Sequence, residues 1–222
     1  MLVSELVEHP KTWLTSNALW VHGGLNVACQ GKPDIIDAGK NTERTRLFPV
    51  RFVRTTEYKC LDQDGQDMAC WELRHETSLG FDALVYYLPY LQNQTRSMRL
   101  ADKGSLFFTD TIDGCTFAAG PEGNPVVSHL NYTEENDEGV RAVGGKIDQA
   151  KIDSELTSLY GNQKISALKK ADYRKSDAIP NVTVLGVRGP GGWRFVYQRR
   201  HRLENSLRDF QLVSVHTVKS LP

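Results

Sequence analysis

Cys115 and His129 stand fourteen residues apart on either side of a strong turn signal. Pro121-Glu122-Gly123 suits a three-residue hairpin loop, with proline pre-setting φ for a type I turn and glycine taking the left-handed position after it. Counting outward, Gly120 faces Asn124, Ala119 faces Pro125, Phe117 faces Val127 and Cys115 faces His129. Directly opposed residues share a face, with Cβ atoms about 4.5–5.5 Å apart. A thiol and an imidazole at that distance form a nucleophile pair.

The chemistry needs more than the pair. A thiol with a pKa of about 8.5 is mostly protonated at neutral pH, so a base must stand beside it. His129 supplies one. The tetrahedral oxyanion needs backbone N–H donors, and Asp113-Gly114-Cys115 is their source, because Gly114 lets the chain bend and expose the amides of Gly114 and Cys115. A third group should orient the imidazole. Thr109, Asp110 and Asp113 upstream of the cysteine are candidates, and Asn131, on the His129 face, is another. The plain alternative is a buried cysteine acting as a small hydrophobe and a histidine serving local polar groups.

Ile112-Asp113-Gly114-Cys115, a histidine across a hairpin and a threonine six residues before the cysteine together resemble the glutamine deamidases of the cytotoxic necrotizing factor type, closest to the Burkholderia lethal factor branch. The resemblance covers Leu106 to Asn131, and it departs from the family's Leu-Ser-Gly-Cys at Ile112 and Asp113. The second departure sets a carboxylate two residues from the thiol, which raises the thiol pKa unless Asp113 points away. The resemblance implies that Cys115 is the nucleophile, His129 the base and acid, and Thr109 the positioning residue. It further implies a toxin or effector that converts a glutamine of a host cytosolic protein to glutamate. A translation initiation helicase or a Rho-type GTPase is the kind of substrate it suggests.

Two other functions remain open. A papain-like protease would pair Cys115 with a distant histidine, His201 or His216, but its cysteine should open a helix, and Thr-Phe-Ala-Ala after Cys115 reads as strand. A non-enzymatic protein-binding module would draw on the basic run Arg199-Arg200-His201-Arg202 near Trp193, Phe195 and Tyr197, although that run reads first as a solvated strand end. No second Cys/His pair has ligand spacing, so neither metal nor cofactor is expected.

Around the hairpin, 222 residues with 27 basic and 27 acidic side chains suit a single catalytic domain over 1–222, and the charge balance argues against nucleic acid or an anionic membrane as partner. Glu5 and Glu8 interrupt the N-terminal apolar stretch, so either a cytoplasmic protein or one exported without a cleavable signal is the expectation, and the resemblance implies export and action in a host cytoplasm. The four cysteines are too scattered for a disulfide scaffold, and Cys115 should be free.

The patterning predicts a mixed, mainly antiparallel α+β domain, a two-sheet β core with helices packed on one side. Its expected elements are a short helix broken at Pro10, then strands at Ala18–His22, Leu47–Tyr58, Met68–Arg74 and Leu106–Phe108. Phe81–Leu91 suits strand and short helix equally. A helix over Ile147–Tyr160 stops at Gly161, helical turns follow within 163–175, and strands close the chain at Asn181–Val187, Trp193–Arg199 and Phe210–Val218. Gly31–Arg44 and Thr133–Gly145 read as surface loops that would choose the substrate.

Overall fold

The computed structural model of the chain describes residues 2–21, 25, 36–37, 47–121, 123, 125–136, 139, 146–174, 180–204 and 206–221. Strand dominates. Two short helices, α1 (Leu2–Glu8) and α2 (Pro10–Ser16), lead into β1 (Asn17–Val21), β2 (Ile36–Asp37), β3 (Leu47–Arg54), β4 (Lys59–Leu61) and β5 (Ala69–His75). Next come β6 (Ala83–Leu88), β7 (Gln94–Arg99), β8 (Leu106–Thr109), β9 (Thr116–Gly120) and β10 (Val126–Asn131). Helix α3 (Gln149–Tyr160), β11 (Ile165–Leu168) and helix α4 (Lys170–Tyr173) precede β12 (Pro180–Gly189), β13 (Gly192–Arg202), β14 (Asp209–Thr217) and β15 (Lys219–Leu221).

The strands form two sheets. Nine of them, ordered β1-β5-β3-β6-β8-β12-β13-β14-β4, make a mixed sheet. It curls until β1 touches β12 and β4 touches β5. The other six, ordered β15-β11-β9-β10-β7-β2, are antiparallel throughout their described pairings. Phe107 of β8, Phe195 of β13 and Phe117 of β9 join the two sheets, with ring centroids 5.3–6.0 Å apart. Gly186 of β12 makes room for them, since a β-carbon there would sit 2.8 Å from Phe195 Cε1 and 3.1 Å from Phe107 Cβ.

The far face of the six-stranded sheet carries α3, whose Ile152, Leu156 and Tyr160 pack on Ala118 and Leu130. Asp148 caps that helix by accepting the Lys151 N–H at 2.8 Å, and Gly161 ends it at a φ of 57°. Leu6, Trp13 and Leu14 of α1 and α2 pack instead into the core shared with the larger sheet. The helices thus lie against both sheets rather than on one side, because each sheet leaves an apolar face to be covered.

Three local expectations change. Pro10 does not merely break a helix; it occupies the first turn of α2, where its missing N–H costs nothing. The expected strand Leu47–Tyr58 stops at Arg54, and the chain then steps over to β4, which pairs in parallel with β14, while β3 pairs with β5. The expected helical turns within 163–175 are mostly strand β11, because Ser166, Ala167 and Leu168 complete the ladder along β9; only Lys170–Tyr173 turns. At Phe81–Leu91 the choice falls to strand β6. Of the two loops expected to choose substrate, all of Gly31–Arg44 except β2 and most of Thr133–Gly145 lie outside the described residues.

Candidate active site

The hairpin β9–β10 is present, with its register moved by two residues. Gly120 pairs with Val126, Ala119 with Val127 and Phe117 with His129, so the loop runs through five residues, Pro121 to Pro125. Pro125 has no N–H to give the ladder, and its carbonyl accepts from Leu100 N at 2.9 Å instead. Cys115 therefore faces Asn131, not His129. A shift of two preserves the face, leaving His129 as the diagonal neighbour of Cys115, a relation that spans about 7–8 Å between opposed strands.

Asn131 is consequently the residue that meets the thiol: its Nδ2 donates to Cys115 Sγ at 2.9 Å. Cys115, Phe117, Val127, His129 and Asn131 all turn toward the larger sheet. Cys115 is 0% exposed and His129 2%. Burial pushes the Cys115 thiol up to about 12; the Asn131 amide and the Gly114 backbone favour thiolate against it, while Asp113 and Asp110 add to the rise. Burial alone holds His129 down at about 4. Both groups are thus neutral at rest, and the resting site is a closed one. Cys115, Cys60 and Cys70 carry free thiols.

The remaining expected residues fall around this pair. Asp113 is exposed, and its charge adds to the rise of the thiol pKa, as the departure at this position predicts. Gly114 is buried, with Ile147 Cδ1 only 3.3 Å from where a β-carbon would stand. Thr109 ends β8 on the same face as Phe107, toward the six-stranded sheet, and its hydroxyl donates to the Asp110 carbonyl at 2.6 Å. Asp110 accepts the Thr111 N–H at 2.8 Å, and burial raises its pKa. Neither bonds the imidazole: Nδ1 and Nε2 of His129 are both buried without a hydrogen-bond partner among the described residues.

Three contacts were not legible from the motif. Tyr90, in the loop from β6 to β7, lays its ring on His129 at 5.7 Å between centroids. Asn93, at a φ of 54°, anchors that loop by accepting both the N–H and the hydroxyl of Thr133 at 2.9 Å. Tyr173 of α4 donates its hydroxyl to the Cys115 carbonyl at 2.6 Å and so fixes the backbone under the thiol. A lone tyrosine far along the chain carries no signal for such a contact; only the fold brings it there.

The basic run at the end of β13 is not a uniformly solvated strand end. Arg200 is 0% exposed. Its guanidinium donates to Leu19 O, Gln198 Oε1, Asn181 Oδ1 and Thr183 Oγ1 and lies 4.2 Å over the Trp20 ring. His201, one of the distant histidines a papain-like site would need, pairs across β12 and β14 in the larger sheet, and His216 pairs with Tyr197 there.

No protein-family model and no curated protein matches the chain. Among solved structures, the C-terminal domain of CNFy from Yersinia pseudotuberculosis is similar at a TM-score of 0.43 and 12% identity, over 87% of this chain and 79% of that one. A likeness of that degree carries no conclusion about activity, so the function is argued from the site.

Proposed function

We propose that the protein is a cysteine-dependent glutamine deamidase of the toxin or effector kind. The observation that carries this reading is the placing of Cys115, His129 and Asn131 on one face of a single hairpin, with the Asn131 amide on the thiol sulfur. In the working state the site opens far enough for His129 to take the Cys115 proton. The thiolate then attacks the glutamine carboxamide carbon, and the imidazolium protonates departing ammonia. His129 next activates water, which cleaves the thioester and leaves glutamate and the free thiol.

Water entry would undo the burial that now holds the thiol at about 12 and the imidazole at about 4, drawing both toward the range where proton transfer is feasible. Asn131 would hold the sulfur, Gly114 and Cys115 would offer amides to the oxyanion, and Thr109 would position the site from β8. The resemblance of Ile112–Cys115 to the lethal factor branch supports a host protein as substrate, a translation initiation helicase or a Rho-type GTPase, met in host cytoplasm.

Peptide mass spectrometry of host-cell lysate incubated with the wild type or Cys115→Ser tests this. The expected result is a gain of about one mass unit at a particular glutamine, seen only with wild type. Peptide-bond cleavage would replace the proposal by a protease. Equal modification by both proteins, or none by either, would return Cys115 and His129 to the role of core residues.

A further inference from the structure

A cavity of about 510 Å³ opens beside Ala171 and Asp172 of α4. That size lies within the range of about 300–1,000 Å³ typical of small-molecule sites. Three cations reach it from three elements: Lys11 of α2, Arg199 of β13 and Lys219 of β15. None of the three forms an ion pair among the described residues. The Nε–H of half-buried Arg199 is shielded from solvent and has no hydrogen-bond partner among the described residues. Asp172 is the one carboxylate in the wall, and it is engaged in its own helix, accepting the Lys169 N–H at 2.8 Å. Ser214 and Thr217 of β14 add hydroxyl donors.

Three cations around one cavity, with its one lining carboxylate already engaged, give that cavity a positive potential that favours a multiply charged anion. We propose that this cavity binds a phosphate ester, a small molecule bearing two or more phosphoryl charges. The planar guanidinium of Arg199 suits two phosphoryl oxygens at once, and Lys11 and Lys219 act as point charges at the rim, where both are exposed. A tetrahedral, multiply charged group uses cations and hydroxyls arriving from several directions, which a flat carboxylate does not.

Isothermal titration calorimetry of the full chain with pyrophosphate at fixed ionic strength tests the site. The expected result is saturable binding of one equivalent, weakened about tenfold or more by Arg199→Gln, and weaker binding of the less charged dicarboxylate succinate. Should Arg199→Gln fail to match the wild-type urea midpoint, the double variant Lys11→Gln/Lys219→Gln, altered only at exposed side chains, carries the comparison. No saturable heat, wild-type affinity in a folded variant, or succinate bound as tightly as pyrophosphate would each overturn the proposal. The outcome does not depend on whether Cys115 is a nucleophile.

Discussion

The buried polar cluster around Arg200 and the one around Cys115 are built on opposite terms. Around Arg200, every guanidinium nitrogen has a partner: Nε and Nη2 reach Asn181, Nη2 also reaches Thr183, and Nη1 reaches Leu19 and Gln198. Gln198 extends the network by accepting Leu19 N at 3.0 Å and donating to Leu14 O and Asn17 O at 2.6 Å. These bonds stitch α2 and β1 to the centre of the curled sheet. Around Cys115, by contrast, both nitrogens of His129 and Oδ1 of Asn131 are left without a partner among the described residues. A buried polar group left unpaired costs about 1–3 kcal/mol. A satisfied network serves the fold; an unsatisfied one is strain held for another purpose.

Breaking the satisfied cluster should have the largest effect. Arg200→Leu leaves Asn181 Oδ1 without its donors and a gap against Trp20, so a loss of about 3 kcal/mol or more is expected in urea unfolding. A loss below about 1 kcal/mol would show that the network is dispensable.

His129 sharpens the contrast through pH. Its folded pKa of about 4 lies below its ordinary 6.5, so the unfolded chain binds the extra proton between those values. The stability this group contributes is complete above pH 6.5 and is lost as pH falls toward 4, amounting to about 2–3 kcal/mol by pH 4.5. His129→Phe removes that part of the acid sensitivity, holds stability at pH 7 within about 1 kcal/mol of wild type or above it, and abolishes activity. Unfolding midpoints at pH 7 and 4.5 check the first two, and an identical acid loss in variant and wild type would place the sensitivity elsewhere.

The smallest expected effect is that of Thr109→Val. One hydroxyl bond to the Asp110 carbonyl disappears at nearly constant volume, costing about 1 kcal/mol of stability. A fall in kcat at unchanged KM would make Thr109 a positioning residue; wild-type kinetics would leave it to packing.

Much of this was open to a reader of the sequence. The hairpin, the helix ending at Gly161 and the strand pair around Gly189–Gly192 all follow from turn chemistry and apolar period. The register does not, because Gly123 signals a three-residue loop while Pro125, with no N–H to give, leaves the ladder to close at Gly120 and Val126. Asn131 was among the candidates for orienting the imidazole, yet its partner is the sulfur. Arg200 defeats composition altogether: one arginine within a basic run is swallowed whole because alternation along β13 turns Gln198 and Arg200 inward while Arg199 faces a cavity. Contacts such as Tyr173 on the Cys115 carbonyl belong to tertiary structure alone.

The burial of Cys115 has a kinetic consequence. The Tyr90 loop beside His129 is anchored at its far end by bonds that include the two from buried Thr133 to Asn93. Cys115 is 0% exposed, so reaching it is a first-order event of the protein itself. A thiol-alkylating reagent would label this cysteine at a rate that climbs with reagent concentration and then levels off, and the plateau would be the frequency at which the buried sulfur is uncovered.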